Sequence, residues 1–404
     1  MALSDLLSDP SRRNVGVLAL AQALFHCTQS MAIATTPLAT YSLLAADKSL
    51  ATMPIFLTHL ALMATTLPAA LLMGRIGRRR GFTLGAALGV AGGLLSMVAI
   101  FQRSVPLLCV GSVLQGAAAA FAWHYRFAAT DLADAAFKPK AISLVMAGGV
   151  LAGLIGPQTA KWSVDLLSPV VFAGVYLMMA VFALGTGLLV QLIRIPTPAA
   201  TGANSGGRPM LEIARQPAFL VAVVSSMLGY AVMTLVMSAT PLAMQGCGFG
   251  FADSATVIQA HVLGMFVPSF FTGGLIARFG VHRIIAAGAA ISIGCALINL
   301  AGVGFMNFLI ANILVGIGWN FCYIGGSSLL TTTHRPEERA KVQGTHDFLV
   351  YAMTATAAGA SGLLQAQAGW AVINMIAIPA LLVVIASVTW GATQAAARTA
   401  RSSG

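Results

Sequence analysis

Apolar runs about twenty residues long, with few polar interruptions, recur along this chain from end to end. A helical bilayer crossing takes about 20 apolar residues. On that measure the pattern predicts twelve spans, at residues 14–40, 50–73, 81–102, 105–129, 141–162, 169–193, 217–241, 254–277, 283–303, 305–331, 343–366 and 369–392. Most breaks between them are short. The longest, Ile195 to Gln216, opens on Pro196 and Pro198 and runs through Thr201-Gly-Ala-Asn-Ser-Gly-Gly207, the composition of a flexible linker. It falls at the midpoint of the chain. The expected architecture is therefore an all-α membrane protein of two six-helix, pseudo-symmetric halves, residues 1–194 and 217–404, joined by the linker 195–216.

Composition closes off the alternatives. Of 404 residues, 58% are hydrophobic and 8% charged, with a mean hydropathy of +0.87. A water-soluble fold has no interior large enough for so much apolar surface. Residues Met1 to Arg13 carry Asp5, Asp9, Arg12 and Arg13 and lead into a full-length apolar helix, which reads as a retained first span rather than a cleaved signal. Charge sets the orientation. Of the 22 Lys and Arg residues, only Lys48, Arg103 and Lys161 lie on the side away from the termini, leaving 19 on the termini's side. By the positive-inside rule both termini and the linker face the cytoplasm. The net charge of +11 is then a topology signal, with some attraction to anionic membrane lipid, and implies no nucleic-acid partner.

Candidate chemistry centres on two pairs at helical spacing, Met233-x-x-x-Met237 in the seventh span and His261-x-x-x-Met265 in the eighth. Residues i and i+4 share a helix face with Cβ atoms about 6 Å apart, so each pair can aim two ligand atoms at one spot. Three thioethers and an imidazole form a soft, uncharged set, suited to Cu(I) rather than Zn(II), Mg(II) or Ca(II). With the seventh span ending near Pro241 and the eighth starting near Ser254, a rise of about 1.5 Å per residue brings Met233 and His261 level. Met237 then lies higher and Met265 lower, and Met244 and Cys247 fall at the outer mouth. His59-x-x-x-Met63 repeats the spacing in the second span, and His26-Cys27 is a further soft pair in the first, of which one at most points inward. Each has a plainer reading. Methionine is an ordinary gap-filler, and a membrane histidine needs a partner that a neighbouring helix can supply. Cys109, Cys295 and Cys322 are scattered and suggest no disulfide framework. No nucleotide-binding loop, Ser-His-Asp arrangement or catalytic carboxylate pair is present, so no enzyme is expected.

Leu72-Met-Gly-Arg75-Ile-Gly77-Arg78-Arg79-Arg80 after the second span returns as Leu275-Ile-Ala-Arg278-Phe-Gly280-Val-His282-Arg283 after the eighth, at a shift of 203 residues. Both resemble the G-x-L-A-D-R-x-G-R loop of the major facilitator superfamily, with Gly74 and Ala277 in place of the acid. Members of that superfamily bind cargo near the midplane between two rocking halves. The two Met/His pairs, with Tyr125-Arg-Phe-Ala-Ala and Glu338-Arg-Ala-Lys-Val-Gln343, resemble its bacterial branch of CcoA-type copper importers. That resemblance implies import of copper across the inner membrane for cytochrome oxidase assembly, with Met233, Met237, His261 and Met265 as metal residues. Copper is then cargo, no cofactor is permanently bound, and a cytoplasmic copper chaperone is the implied partner. Arg75, Arg278, Asp131, Asp347 and Arg126 near the cytoplasmic ends are the gating candidates. Asp347 can carry a proton or pair with Arg126 across the halves.

Two rivals stand beside copper. The same branch includes riboflavin carriers, and Trp123, Tyr125, Trp319 and Tyr323 can stack on a flat ring, though they can equally pack or anchor at the interface. Gly153-Leu-Ile-Gly156-Pro157 partly resembles a drug-antiporter motif, but Ser112 stands where such exporters carry Arg ahead of Gln115-Gly116. The basic-residue split yields a direct test. Reporter fusions at Gly404 and near Gly206 should be active only with a cytoplasmic reporter; a periplasmic signal at either site refutes the orientation.

Overall fold

The computed structural model describes residues 10–45, 47–129, 131, 138–195, 207–335 and 338–402. Among these residues every regular element is a helix, as a membrane solvent requires of a chain that cannot leave backbone groups unpaired. The first half comprises α1 (Pro10–Leu43), α2 (Met53–Ile76), α3 (Arg78–Phe101), α4 (Val105–Ala122), α5 (Lys138–Ser163) and α6 (Ala173–Leu189). The second comprises α7 (Pro217–Gly246), α8 in two pieces (Phe251–Phe266 and Ser269–Phe279), α9 (Val281–Ala301), α10 (Phe305–Leu330), α11 (Arg339–Gln367) and α12 (Gly369–Ser402). Residues 196–206, most of the expected linker, lie outside the described residues.

Three spans differ from the sequence expectation. The single helix expected at 254–277 is broken, its pieces meeting at 42°, because Pro268 has no N–H to give and its ring opposes a continuous helix. The span at 105–129 stops at Ala122 and resumes as the short helix Tyr125–Ala128. Conversely α7 continues through Pro241 to Gly246; prolines are tolerated where neighbouring helices re-satisfy the backbone. Among the described residues nine helices are long and apolar enough to cross a membrane, and α8 taken as one bent span makes ten. The remaining two, α5 and α11, lie on the seam, packed against α8 and α2 of the opposite half.

Glycine sets the packing inside each half. A Cβ on Gly92 would meet the Gly111 carbonyl at 2.8 Å, and one on Gly93 would meet the Ala180 backbone at 2.8 Å. In the second half a Cβ on Gly264 would sit 2.8 Å from the Ile313 carbonyl and one on Gly316 2.6 Å from that of His261. Such contacts are closed to any larger residue.

Across the seam the described hydrogen bonds gather at the end away from the termini. The Gly362 N–H donates to Thr52 Oγ1 at 3.0 Å, Gln158 Nε2 to Gln259 Oε1 at 2.9 Å, and Lys161 Nζ to Thr256 Oγ1 at 2.7 Å. At the termini's end the hydrogen bonds that flank the linker stay, among the described residues, within a half. Asn14 exchanges two 3.0 Å bonds with the backbone of Arg194. Beyond the linker, Glu338 accepts from the Arg208 N–H, Nε and Nη2 at 2.8–3.0 Å and from the Arg335 N–H at 3.0 Å.

Those donors, the Arg208 guanidinium foremost, hold the Glu338 carboxyl well below its usual value of 4.5. A carboxylate depressed in the fold contributes stability that is complete above its unfolded pKa and lost as pH falls through the folded one. In detergent, Glu338→Gln should therefore melt below wild type at pH 7. The gap should hold constant down to about pH 4.5 and close at lower pH. Melting curves across that range check it, and a gap that already closes between pH 7 and 5 contradicts it.

Candidate functional site

Between α4 and α5 of one half and α8 and α10 of the other lies a cavity of about 290 Å³, walled by Trp123, Arg126, Phe266, Trp319, Tyr323 and Ser327 among others. Its aromatic wall is ordered by ring contacts. Trp319 and Tyr323, one turn apart on α10, stack at 5.2 Å with planes 10° apart. Tyr230 of α7 meets both edge-on at 5.4 and 5.5 Å, and Phe266 meets Trp319 edge-on at 6.4 Å. From the first half, His26 bridges Phe266 (4.9 Å) and Trp123 (5.6 Å). Edge-to-face pairs of this kind add about 0.5–1.5 kcal/mol each beyond area burial and leave ring faces for a ligand. Arg126 is the cavity's cation. Its guanidinium lies over the rings of Phe127 (4.8 Å) and Trp123 (5.7 Å), and Tyr323, Tyr351 and Asp347 act on it from the other half. Its Nε is buried without a hydrogen-bond partner among the described residues.

A second cavity of about 70 Å³ adjoins the first through Trp123 and Phe266; His26, Gln29, His59, Met233, Thr234 and Met265 also line it. Met237 lines it too, so the three thioethers of the two sequence pairs do share one space. His261 is not among its lining residues. That imidazole is fully buried and faces α10, where its Nδ1–H donates to the Asn312 carbonyl at 2.9 Å; Nε2 is left in the core without a partner. The close approach of α8 and α10 at Gly264 and Gly316 brings that carbonyl within reach. His26 replaces it as the cavity's imidazole from α1, with Cys27 buried away from the cavity, and His59 joins from α2.

The other candidates scatter. Met63 packs into the core beside the cavity, Met244 is fully buried near the end of α7, and Cys247 is exposed just past it. Among the described residues no three His, Cys, Asp or Glu side chains converge; the soft groups that do share a space are the three thioethers with His26 and His59. Tyr125 is core rather than cavity wall, edge-on to Phe82 at 4.7 Å. Asp131 pairs with Arg78 at 3.1 Å inside its own half, and Asp347 contacts the adjacent His346 at 3.0 Å, so Arg126 and Asp347 interact across the seam without direct contact. Arg75 is exposed, and Arg278 lies over the neighbouring Phe279 ring at 5.2 Å. Sequence reading passed over Tyr230, Phe266, Gln29 and Thr234. Tyr230 lies one helical turn before Met233 and Phe266 directly follows Met265, so the methionine pairs themselves pointed to this wall.

The geometry gives His261 a bond between α8 and α10 and, outside the lining of the second cavity, no contact with the three thioethers' shared space. His261→Ala should lower the melting temperature, with a loss of about 0.5–1.5 kcal/mol for the bond, while ligand affinity in the cavities is retained. Paired thermal and binding measurements decide it; a normal melting curve with abolished binding contradicts it.

Comparison with known proteins agrees with this geometry. The family model of the Major Facilitator Superfamily matches residues 18–344. The chain is 40% identical to the riboflavin transporter RfnT of Brucella anthropi over 93% of its own length and 94% of that protein's. It is 30% identical to YddS of Bacillus subtilis, an uncharacterized transporter of the same type, over 80% of its length and 79% of that protein's. Among solved structures it resembles FucP, a superfamily transporter in the outward conformation, with a TM-score of 0.63 at 18% identity, covering 93% of this chain and 98% of that one; this likeness concerns the fold alone. With twelve helices in two halves, a seam lined by cavities and a family match over most of its length, the chain belongs to the major facilitator superfamily.

Proposed function

We propose that this transporter moves a flat heteroaromatic solute of the riboflavin class across a bacterial inner membrane, with the termini's side facing the cytoplasm. The observation that carries the reading is the aromatic-walled cavity between the halves. At about 290 Å³ it approaches the lower bound of drug-sized ligand sites, about 300 Å³. A bare metal ion needs only about the room of one water, roughly 10–15 Å³. Trp319, Tyr323 and Trp123 offer ring faces, and Arg126 offers donors to the carbonyls and ring nitrogens of a heterocycle. The similarity to a riboflavin transporter over nearly the whole chain supports the same cargo class. Copper remains the second reading, because Met233, Met237 and Met265 share one cavity with His26 and His59.

In mechanism, the seam bonds of Thr52, Gln158 and Lys161 close the outer end. The cavities lie inward of them, so this arrangement serves release to the cytoplasm. Rocking of the halves breaks those bonds and exposes the same walls to the other side.

Binding to the purified protein, followed by quenching of riboflavin fluorescence, tests the cargo. Stacking on an aromatic side chain contributes about 1–3 kcal/mol, so Trp319→Ala should weaken binding roughly tenfold or more, and Trp319→Phe should recover part of it. A Cu(I) chelator should leave riboflavin uptake by cells unchanged. Copper uptake by the wild type without any riboflavin binding would overturn the assignment in favour of the metal.

A further inference from the structure

Resting on the riboflavin-class reading, we propose that the site selects a ring bearing an uncharged polyhydroxyl chain and rejects the phosphorylated form. The ring lies in the aromatic cavity and the chain in the two cavities beyond it.

The cavities form a series. The aromatic one shares Trp123 and Phe266 with the second, and the second shares Gln29, Ile33, Thr58 and His59 with a third. Along that series the walls change character. The third cavity, of about 20 Å³, is lined by the hydroxyls and amides of Thr28, Thr36, Ser96, Ser112 and Gln115 within the first half. Neither the second nor the third cavity has a Lys, Arg, Asp or Glu in its lining. Arg126 faces only the aromatic end.

Several of the protons on these walls are engaged already. Thr58 Oγ1 donates to the carbonyls of Pro54 (3.0 Å) and Ser112 (3.2 Å). Gln115 Nε2 donates to the Gly89 carbonyl at 3.1 Å and the Tyr176 hydroxyl to Thr36 Oγ1 at 3.1 Å. His59 Nδ1–H donates to the Ile55 carbonyl at 2.9 Å, which leaves Nε2 of the neutral ring as an acceptor. What the walls offer a ligand is a set of neutral donors and lone pairs, with no charged side chain among them. Among the groups that keep both roles are the Thr234 hydroxyl, fully buried with no partner among the described residues, and the Gln29 amide, which has no hydrogen bond among the described residues. A chain of hydroxyls donates and accepts, and so matches this lining. A phosphate ester carries charge and would be buried among neutral groups with no cation to offset it. With the chain turned the other way, toward Arg126, a phosphate would be welcome. The two orientations therefore predict opposite selectivity.

Fluorescence-quenching titrations of the full-length protein with riboflavin, flavin mononucleotide and lumiflavin, which has a methyl group in place of the chain, separate them. Wild type should bind riboflavin at least about a hundredfold more tightly than flavin mononucleotide, since an unpaired buried charge is strongly disfavoured. Thr234→Val and Gln29→Met should each weaken riboflavin about three- to tenfold, the effect of one hydrogen bond, with lumiflavin binding unchanged. Lumiflavin binding also serves as the folding control for both variants. Flavin mononucleotide binding as well as riboflavin, or variants that weaken lumiflavin equally, overturns the inference while leaving the riboflavin-class reading intact. A wild type that binds neither riboflavin nor lumiflavin overturns both.

Discussion

Backbone-to-backbone contact at glycine is what makes each half of this protein a rigid body. Lipid gives two apolar helices no hydrophobic reason to associate, so association depends on close approach and on the few polar bonds that approach permits. Gly92 against Gly111, Gly116 against the Thr58 carbonyl, and Gly288 against the Gly318 carbonyl supply it within the halves. At the seam the partners differ in kind. A Cβ on Gly149 would meet the Phe266 ring, one on Gly153 the side chains of Leu263 and Val262, and one on Gly359 the Phe56 ring. Side chains can slide and change rotamer where interlocked backbone cannot. Among the described glycines at the seam, the one that meets backbone across it, Gly362 against Ser49 and Thr52, lies at the closed end, with the hydrogen bonds that close it.

That difference decides where a site can form. The cavities occur where the seam is built of side chains, on the termini's side of the closing bonds. At that end the polar staples hold the chain on either side of the linker to separate halves, Arg194 to Asn14 and Arg208 to Glu338. Neither staple crosses the seam. Both ends of the linker stay anchored while the halves remain free to part, which a rocking carrier requires.

Much of the fold was legible in the sequence because the signal is one-dimensional. Twelve apolar runs, a polar midpoint and a repeated loop at Arg75 and Arg278 need only length and order. The breaks were harder. Pro268 splits α8 whereas Pro241 leaves α7 continuous, and the tertiary surroundings that distinguish them are not written locally. The site was half legible for a similar reason. Spacing placed Met233, Met237 and Met265 on common faces, and the structure does bring them to one cavity. It could not give the rotation of α8 about its axis, which turns His261 to the Asn312 carbonyl. His26, marked only as half of an adjacent pair, takes the cavity position through its ring contacts with Phe266 and Trp123. The aromatic wall draws on four helices and both halves, so no single-helix period could reveal it.

Arg126 shows how the empty site differs energetically from a filled one. A guanidinium at membrane depth requires compensation, and here it is partial. Two ring faces attract it, an interaction of about 0.5–2 kcal/mol depending on desolvation; from across the seam the Tyr323 hydroxyl is a polar partner and Asp347 acts without direct contact. The carboxylate that would complete the set at Asp131 is held instead by Arg78. A ligand that brings acceptor atoms to Nε therefore relieves a shortfall that the protein's own residues leave in place. Because Arg126 belongs to one half and Tyr323, Tyr351 and Asp347 to the other, that relief bears on how strongly the halves attract one another. A cargo with differential contacts in the two arrangements can shift their balance, and one without them cannot. Placing the cation on the seam, with its Nε unpartnered among the described residues, links occupancy of the cavity to the attraction that holds the halves together at the termini's end.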